Sequence, residues 1–390
     1  MSPTSPAGNR TAAPTMDPPR MTRGRATAVV DLSAVQDNAR LFAQRNAAGL
    51  MAVVKADGFG HGAVPLARAA LAGGAGWLGV TSVDEALQLR TAGLSAPILS
   101  WLNAVDADFD TALRHRVDLA VPGVDHLYAV TAAAVRTGRR ARIHLHLDTG
   151  MARDGAAAAE WPHLLRRIAA AVSRGPVQLV GVMGHLACAD DPDDPHNPAG
   201  RLAFERGLVA VRRAGLAPGI RHLATTAATL TDPRTHYDLS RIGAGLVGID
   251  PSGGTALLPT MSLFAPVVSV RDVPAGTAVG YRHGHVTLRA TRLALLPLGY
   301  ADGIPRSAGG TGQVLLRGRR CRLVGAVSMD QIVIDVGDEP VVPGEVATVF
   351  GPGAKGEPTV ADWARWADTI EQEIVARIGQ RIIRTYVRDA

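Results

Sequence analysis

Lys55 is the residue whose type and setting most plainly call for chemistry. The chain has 390 residues, and its 41 Lys plus Arg comprise 39 Arg and only two Lys, Lys55 and Lys355. Lys355 lies in GPGAKGE, a polar loop where a solvated charge is account enough. Lys55 instead ends the apolar run Met51-Ala-Val-Val-Lys55, where a buried ammonium is costly without a partner. A chain that otherwise prefers arginine has kept a primary amine there. With its pKa lowered, an amine adds to a carbonyl to form a Schiff base, and attachment to pyridoxal phosphate is one recurrent use. A structural lysine whose stem packs on its neighbours is the plain alternative. The stretch that follows, Lys55-Ala-Asp-Gly-Phe-Gly-His-Gly62, carries three glycines that let backbone come close to a ligand.

A second group lies on one strand-like stretch, where Arg142, His144, His146 and Asp148 alternate with Ile143, Leu145 and Leu147. Such alternation puts the polar set on one face. Two readings stand: a metal site built from the His-x-His pair, an aspartate and the later His185 and His222, or the polar lining of a ligand pocket. A barrel metallohydrolase would use His144, His146 and His185 with Asp148 or Asp330. The lining is preferred, because a metal leaves Lys55 without a role. Tyr281 in AVGYRHG and Tyr300 in LLPLGYADGIPR sit beside glycines; a phenol can serve as acid or base, or be a buried tyrosine with a satisfied hydroxyl.

The elements that must position these residues follow from periodicity. Eight short apolar runs, LMAVVK, WLGVTS, PILSWL, VDLAVPG, ARIHLHLD, VQLVGVMGHL, IRHLATT and LSRIGAGLVGI, alternate with helical stretches such as SVDEALQLRTAGL and RLAFERGLVAVRRAGL. That pattern predicts an α/β fold, a (β/α)8 TIM-type barrel over residues 25–255, with the active site at the C-terminal strand ends. Lys55 is at such an end. Within that range ATAVVDLSAVQDNARLFAQR reads as a strand followed by a helix capped by Asp31 or Ser33, the strand over 25–34 joining the second domain. Residues 256–390 are rich in β-branched alternation broken by Gly and Pro, as in PVVSVRDV, GHVTLRATRLALLPL, QVLLRGRRCRLVGAV and EVATVFG, and predict a mostly β domain. Residues 1–24 read as a disordered tail.

Composition excludes several classes. Hydrophobic residues make up 47% and charged ones 19%, which suits an ordinary globular enzyme. No apolar run reaches the roughly 20 residues a bilayer demands, so no membrane span is expected. The first residues lack the apolar stretch of a secretory signal. Two cysteines, Cys188 and Cys321, imply no disulfide framework and point to a cytoplasmic setting. The net charge of +6 is spread along the chain without interleaved aromatics, so a solvated basic surface is expected and not a nucleic-acid partner.

In chain order, AVVKADGFGHG, HLDTGMARDG, VMGHLACAD, LSRIGAGLVGIDP, AVGYRHG, LGYADGIPR and VGAVSMDQ resemble the motifs of the alanine racemase family of fold-type III pyridoxal phosphate enzymes, from about Ala26 to Tyr386. The resemblance implies racemisation of a small amino acid, L-alanine to D-alanine first, with pyridoxal 5′-phosphate as cofactor and a homodimer with shared active sites. D-alanine would serve as a peptidoglycan precursor. Lys55 resembles the cofactor-binding lysine, which is also the base on one face of the substrate α-carbon. Tyr281 resembles the base on the other face, contributed by the partner subunit and backed by His185 and Arg241. Arg241 matches the arginine facing the pyridine nitrogen; a guanidinium with its pKa above 12 does not protonate that nitrogen, which keeps the ring a weak electron sink. Arg153 matches the arginine near the cofactor and the substrate carboxylate, Met329 and Tyr300 match partner residues at the entrance or carboxylate site, and Asp330 follows Met329. Thr226, Gly243 and Ala244 match the phosphate cradle.

Three positions depart from the pattern. Phe59 and Gln372 replace two tyrosines that touch the phosphate, and His146 replaces a lysine that is carbamylated in many members, an anion that an imidazole cannot reproduce. The departures keep two alternatives in view: a paralogue for a different amino acid, and a homologue that holds the cofactor with impaired catalysis.

Overall fold

The computed structural model describes residues 24–46 and 48–388, so the expected tail over 1–24 lies, except for Gly24, outside the described residues. The chain divides into two compact units. The first comprises Asn38–Gly58 and Leu66–Leu257; the second comprises the described residues up to Asp37, Phe59–Pro65 and those from Leu258 onward.

The strands in chain order begin with β1 (Thr27–Asp31) and continue with β2 (Leu50–Val53), β3 (Trp77–Val80), β4 (Ile98–Ser100), β5 (Val117–Val121), β6 (Ala141–His146), β7 (Val177–Met183), β8 (Ile220–His222) and β9 (Ser240–Ile242). Strands β2 to β9 form one parallel sheet in the order β8-β7-β6-β5-β4-β3-β2-β9, each falling inside one of the eight apolar runs. The edges β8 and β9 are not paired as strands. Two backbone bonds join the segments at this seam, Asp238 N–H to the Arg221 carbonyl and Arg241 N–H to the Ala224 carbonyl, both 3.0 Å. The Arg221 guanidinium meets the Asp238 carboxylate there at 2.7 Å through both Nε and Nη2. The result is a nearly closed eight-stranded barrel.

Side chains fill its interior, as small parallel barrels require. One cluster unites Met51 and Val53 of β2, Leu99 of β4, Ala120 of β5 and Met183 of β7. Strand β7 carries a bulge at Val180, where Ile143 and His144 of β6 pair with Leu179 and Gly181. Beyond it His144 is fully buried, edge-on to Trp77 with ring centroids 5.6 Å apart.

The second unit holds β10 (Met261–Pro266), β11 (Ser269–Val273), β12 (Ala278–Val279), β13 (His285–Val286), β14 (Thr291–Leu296), β15 (Gln313–Leu316), β16 (Arg319–Leu323), β17 (Ile332–Gly337), β18 (Val346–Phe350) and β19 (Ile383–Val387). A nine-stranded sheet runs β11-β14-β17-β16-β15-β18-β10-β1-β19. Strand β1 pairs antiparallel with β10 and parallel with β19. Asp31 then caps the helix Leu32–Arg45, its Oδ1 accepting the N–H groups of Ser33 and Ala34 at 2.8 and 3.0 Å. The helices Val360–Ala367 and Glu371–Ala376 and strands β17 and β19 are elements that the alternation of the sequence did not reveal. Among the described residues no helix is long and apolar enough to cross a membrane, and both cysteines are free.

Candidate active site

Lys55 lies two residues past the end of its strand, not at the strand's last position. Strand β2 ends at Val53, Val54 N–H still bonds to the Gly79 carbonyl at 2.9 Å, and Lys55 opens a tight left-handed turn. Ala56, Asp57, Gly58 and Phe59 have φ of 52°, 51°, 63° and 55°. Three of these four are not glycine, and such a run costs of order 1 kcal/mol or more per residue, so neighbours must hold it. Glu85 does so at its start: Ala56 N–H donates to Glu85 Oε1 at 2.7 Å. Nothing in the motif around Lys55 pointed to this glutamate. Its place in SVDEALQLR reads as ordinary helix capping, and indeed Glu85 N–H donates to the N-cap Ser82 hydroxyl at 3.2 Å.

The half-buried Lys55 amine is pulled below its ordinary pKa by desolvation first and by the Arg153 cation next; Glu85 acts in the opposite sense and Arg241 adds to the lowering. A depressed amine is one that can be neutral and nucleophilic. Arg241 lies on β9, in register with Met51 of the neighbouring β2, and is 3% exposed. Its guanidinium donates to the carbonyls of His222 and Gly184 at 2.7 Å each and of Leu223 at 3.3 Å. It also lies 3.2 Å from His222 Nδ1 and 3.5 Å from His185 Nδ1. Burial pulls it down to about 10, lower than the sequence implied, yet still cationic at neutral pH.

The histidines near it are held neutral. His185 is pushed down to about 3 by loss of solvent and then by Arg241 and Arg153. His222 is shifted well below its usual value by burial and then by His144. His222 Nε2 and His144 Nδ1 are 2.8 Å apart. Since Arg241 can only donate, His222 Nδ1 accepts from it, Nε2 carries the hydrogen, and His144 Nδ1 accepts in turn. His144 Nε2 then faces Asp118 Oδ2 at 3.5 Å, and Asp118 is gripped by Arg142 at 2.8 and 3.0 Å.

The two carboxylates of the metal reading are engaged elsewhere in this geometry. Asp148 Oδ1 accepts the N–H groups of Gly150, Met151 and Ala152 at 2.9 to 3.2 Å, so it shapes the loop after β6. Asp330 belongs to the other unit and pairs with Arg381 at 2.7 Å. Among the described residues, the one group with metal-like spacing is Cys188, Asp194 and His196, a different set. His146 also departs from expectation, because it brings a carboxylate with it: Nδ1 lies 3.3 Å from Asp154 Oδ2, and this imidazole is the leading cause that lowers the Asp154 pKa.

Thr226 opens the helix Thr226–Thr231 and is 4% exposed. Its hydroxyl accepts Gly245 N–H at 3.1 Å, which ties it to the 3-10 turn Ala244–Val247 that follows Gly243. Helix starts of this kind leave N–H groups without intrahelical partners, a neutral donor set suited to a phosphate. Lys55, Arg153, His185, Thr226, Arg241, Gly243 and Ala244 thus belong to the barrel unit.

The remaining expected site residues belong to the second unit. Tyr281 starts the 3-10 turn Tyr281–His283 and is 70% exposed. Tyr300 and Met329 come from segments joined by backbone bonds, Tyr300 N–H to the Ser328 carbonyl and Ala301 N–H to the Met329 carbonyl, each 3.0 Å. They are 39% and 52% exposed. Gln372 lies in the short helix Glu371–Ala376.

Comparison with known proteins gives one answer over nearly the whole chain. Residues 30–251 match the family model of the alanine racemase N-terminal domain and residues 260–386 that of the alanine racemase C-terminal domain. An alanine racemase of Frankia casuarinae is 47% identical over 370 residues, 93% of this chain and 96% of that protein. The alanine racemase structure from D-cycloserine-producing Streptomyces lavendulae is 44% identical with a TM-score of 0.91, covering 94% of this chain and 98% of that one. That from Bartonella henselae, described with covalently bound pyridoxal phosphate, is 27% identical with a TM-score of 0.84 over 93% and 99%. The chain belongs to the alanine racemase family.

Proposed function

We propose that the protein interconverts L- and D-alanine with pyridoxal 5′-phosphate held on Lys55, and that Lys55 and Tyr281 are the two bases. The observation that supports this reading best is the Lys55 amine itself, lowered in pKa by desolvation and the Arg153 cation at the end of β2. The residues of the barrel unit fit the cofactor: an amine able to bond its aldehyde, a buried cation in Arg241, and neutral donors around Thr226, Gly243 and Ala244. When bound, pyridoxal phosphate supplies an electron-withdrawing ring that stabilises negative charge at the substrate α-carbon.

The chain's own part is to move protons and to hold groups still. Lys55 Nζ, neutral for part of the cycle, takes or returns the α-proton on one face. Tyr281 Oη serves the opposite face, since inversion requires that a proton removed from one side be replaced from the other. Arg241 is fixed by three carbonyls and stays charged at neutral pH, so it does not surrender a proton to the ring nitrogen and limits how far charge spreads away from the α-carbon. His185 and Arg241 stand behind Tyr281 as its supporting groups. Arg153 binds the substrate carboxylate, with Tyr300, Met329 and Asp330 at the entrance. Gln372 reaches the phosphate in place of a tyrosine.

The exposure of Tyr281, Tyr300 and Met329 on one chain favours a homodimer in which each subunit completes the other's site. Work in the cytoplasm, supplying D-alanine as a peptidoglycan precursor, accords with two free cysteines and the family. The test is to incubate the purified protein with L-alanine and a panel of other L-amino acids and to measure D-enantiomers by chiral chromatography. Alanine is expected to give the fastest exchange, and Lys55→Ala to lose at least 1,000-fold of it, on the order of 4 kcal/mol. No D-enantiomer from any substrate would overturn the proposal.

A further inference from the structure

Glu85 occupies the third position of the helix Val83–Thr91, three residues after the N-cap Ser82. A glutamate there ordinarily folds back on to the N-cap residue's own backbone N–H in a capping box. Here it reaches elsewhere. Oε2 accepts both the backbone N–H and the hydroxyl of Thr81, at 2.8 and 3.0 Å, and Oε1 crosses to the neighbouring strand end to accept Ala56 N–H at 2.7 Å. Strands β2 and β3 are paired, with Val53 opposite Gly79, so the carboxylate bridges the two segments just beyond them. The N–H it captures belongs to the first residue of the left-handed run after Lys55.

The groups that act on the Lys55 amine are the cations Arg153 and Arg241 and the carboxylate of Glu85, and the amine in turn acts on the imidazole of His185. Glu85 is thus the negative member of that set. Desolvation and two cations favour the neutral amine, whereas an amine that must both take and return a proton needs its two states closer in energy.

We propose that Glu85 is a positioning residue for Lys55: its carboxylate pins the left-handed turn through the Ala56 N–H and supplies the negative charge that offsets Arg153 and Arg241 at the amine. The proposal rests on Lys55 being the reactive amine. The charge half rests on the Glu85 carboxylate acting on the amine, and the turn half on the Ala56 contact, whichever amino acid is the substrate.

The scarcity of lysine makes the test direct. Full-length protein freed of cofactor with hydroxylamine and labelled at lysine 13Cε gives two signals, Lys55 and Lys355, of which the second is an internal control. Glu85→Gln keeps the size and removes the charge, and is expected to lower the Lys55 titration midpoint by about one pH unit while Lys355 stays put. Glu85→Asp keeps the charge but is too short to span Thr81 and Ala56; it is expected to move the midpoint less and, in the cofactor-loaded enzyme, to reduce kcat about tenfold with KM little changed. A merely structural glutamate would not move the Lys55 midpoint selectively. An unmoved or raised midpoint in Glu85→Gln, or in Glu85→Asp a kcat equal to wild type, overturns the proposal. If Glu85→Gln does not fold, the Glu85→Asp kcat decides. A wild type that titrates as expected but racemises nothing would instead overturn the assigned function and leave the Glu85 contact standing.

Discussion

At the scale of single residues, the barrel unit is a place where charge is rationed. Lys55 is depressed by its surroundings, while His185 and His222 are held neutral by desolvation and by the cations and imidazoles beside them. An unfolded histidine titrates near 6.5, so below that pH the unfolded chain binds protons that the folded one refuses. The folded-state pKa values are lowered, to about 3 for His185. The stability these rings contribute is therefore complete above pH 6.5 and is lost progressively as pH falls toward 3. We expect urea midpoints to fall between pH 6.5 and 5, above the carboxylate range, and the fall to shrink in His222→Asn. Parallel slopes for the two proteins would contradict it. Much of this was legible in the sequence: one lysine in an apolar run and histidines at strand ends, with Arg241 reached through the family resemblance. Glu85 and Asp154 were not, because their partners are set by pairing of distant strands and by the loop after β6, and neither is encoded in local spacing.

At the scale of elements, the eight apolar-rich runs contained all eight barrel strands. What they could not give was the seam. Strands β8 and β9 are joined by two backbone bonds and the Arg221–Asp238 pair, and no hydrophobic pattern signals a salt bridge that replaces a ladder. The helices near the C-terminus and strand β17 were likewise not among the segments singled out. Barrel interior packing yields a sharper expectation. A Cβ at Gly181 on β7 would stand 2.5 Å from His144 Nδ1 and 2.7 Å from the Ile220 carbonyl. Gly181→Ala should drive His144 off His222, whose hydrogen bond then breaks, and should destabilise the protein by about 1–3 kcal/mol, as overpacking does. Thermal denaturation reads this, and an unchanged melting temperature would mean that the histidine pair has slack the geometry does not suggest.

At the scale of the whole molecule, the proposed reaction needs two bases on opposite faces, and the chain carries them in different units. Lys55 belongs to the barrel and Tyr281 to the second unit, where its ring is largely exposed. In the proposed homodimer one subunit supplies Lys55 and its partner Tyr281, an arrangement that makes the two lesions complementary. A heterodimer of a Lys55→Ala chain and a Tyr281→Phe chain, co-expressed with two different tags and purified through both, has one site with both defects and one with neither. The account predicts about half of the wild-type alanine racemisation per heterodimer, from parents that are each severely impaired. A purified heterodimer no more active than its parents would contradict the central claim that Lys55 and Tyr281 act together across a subunit boundary.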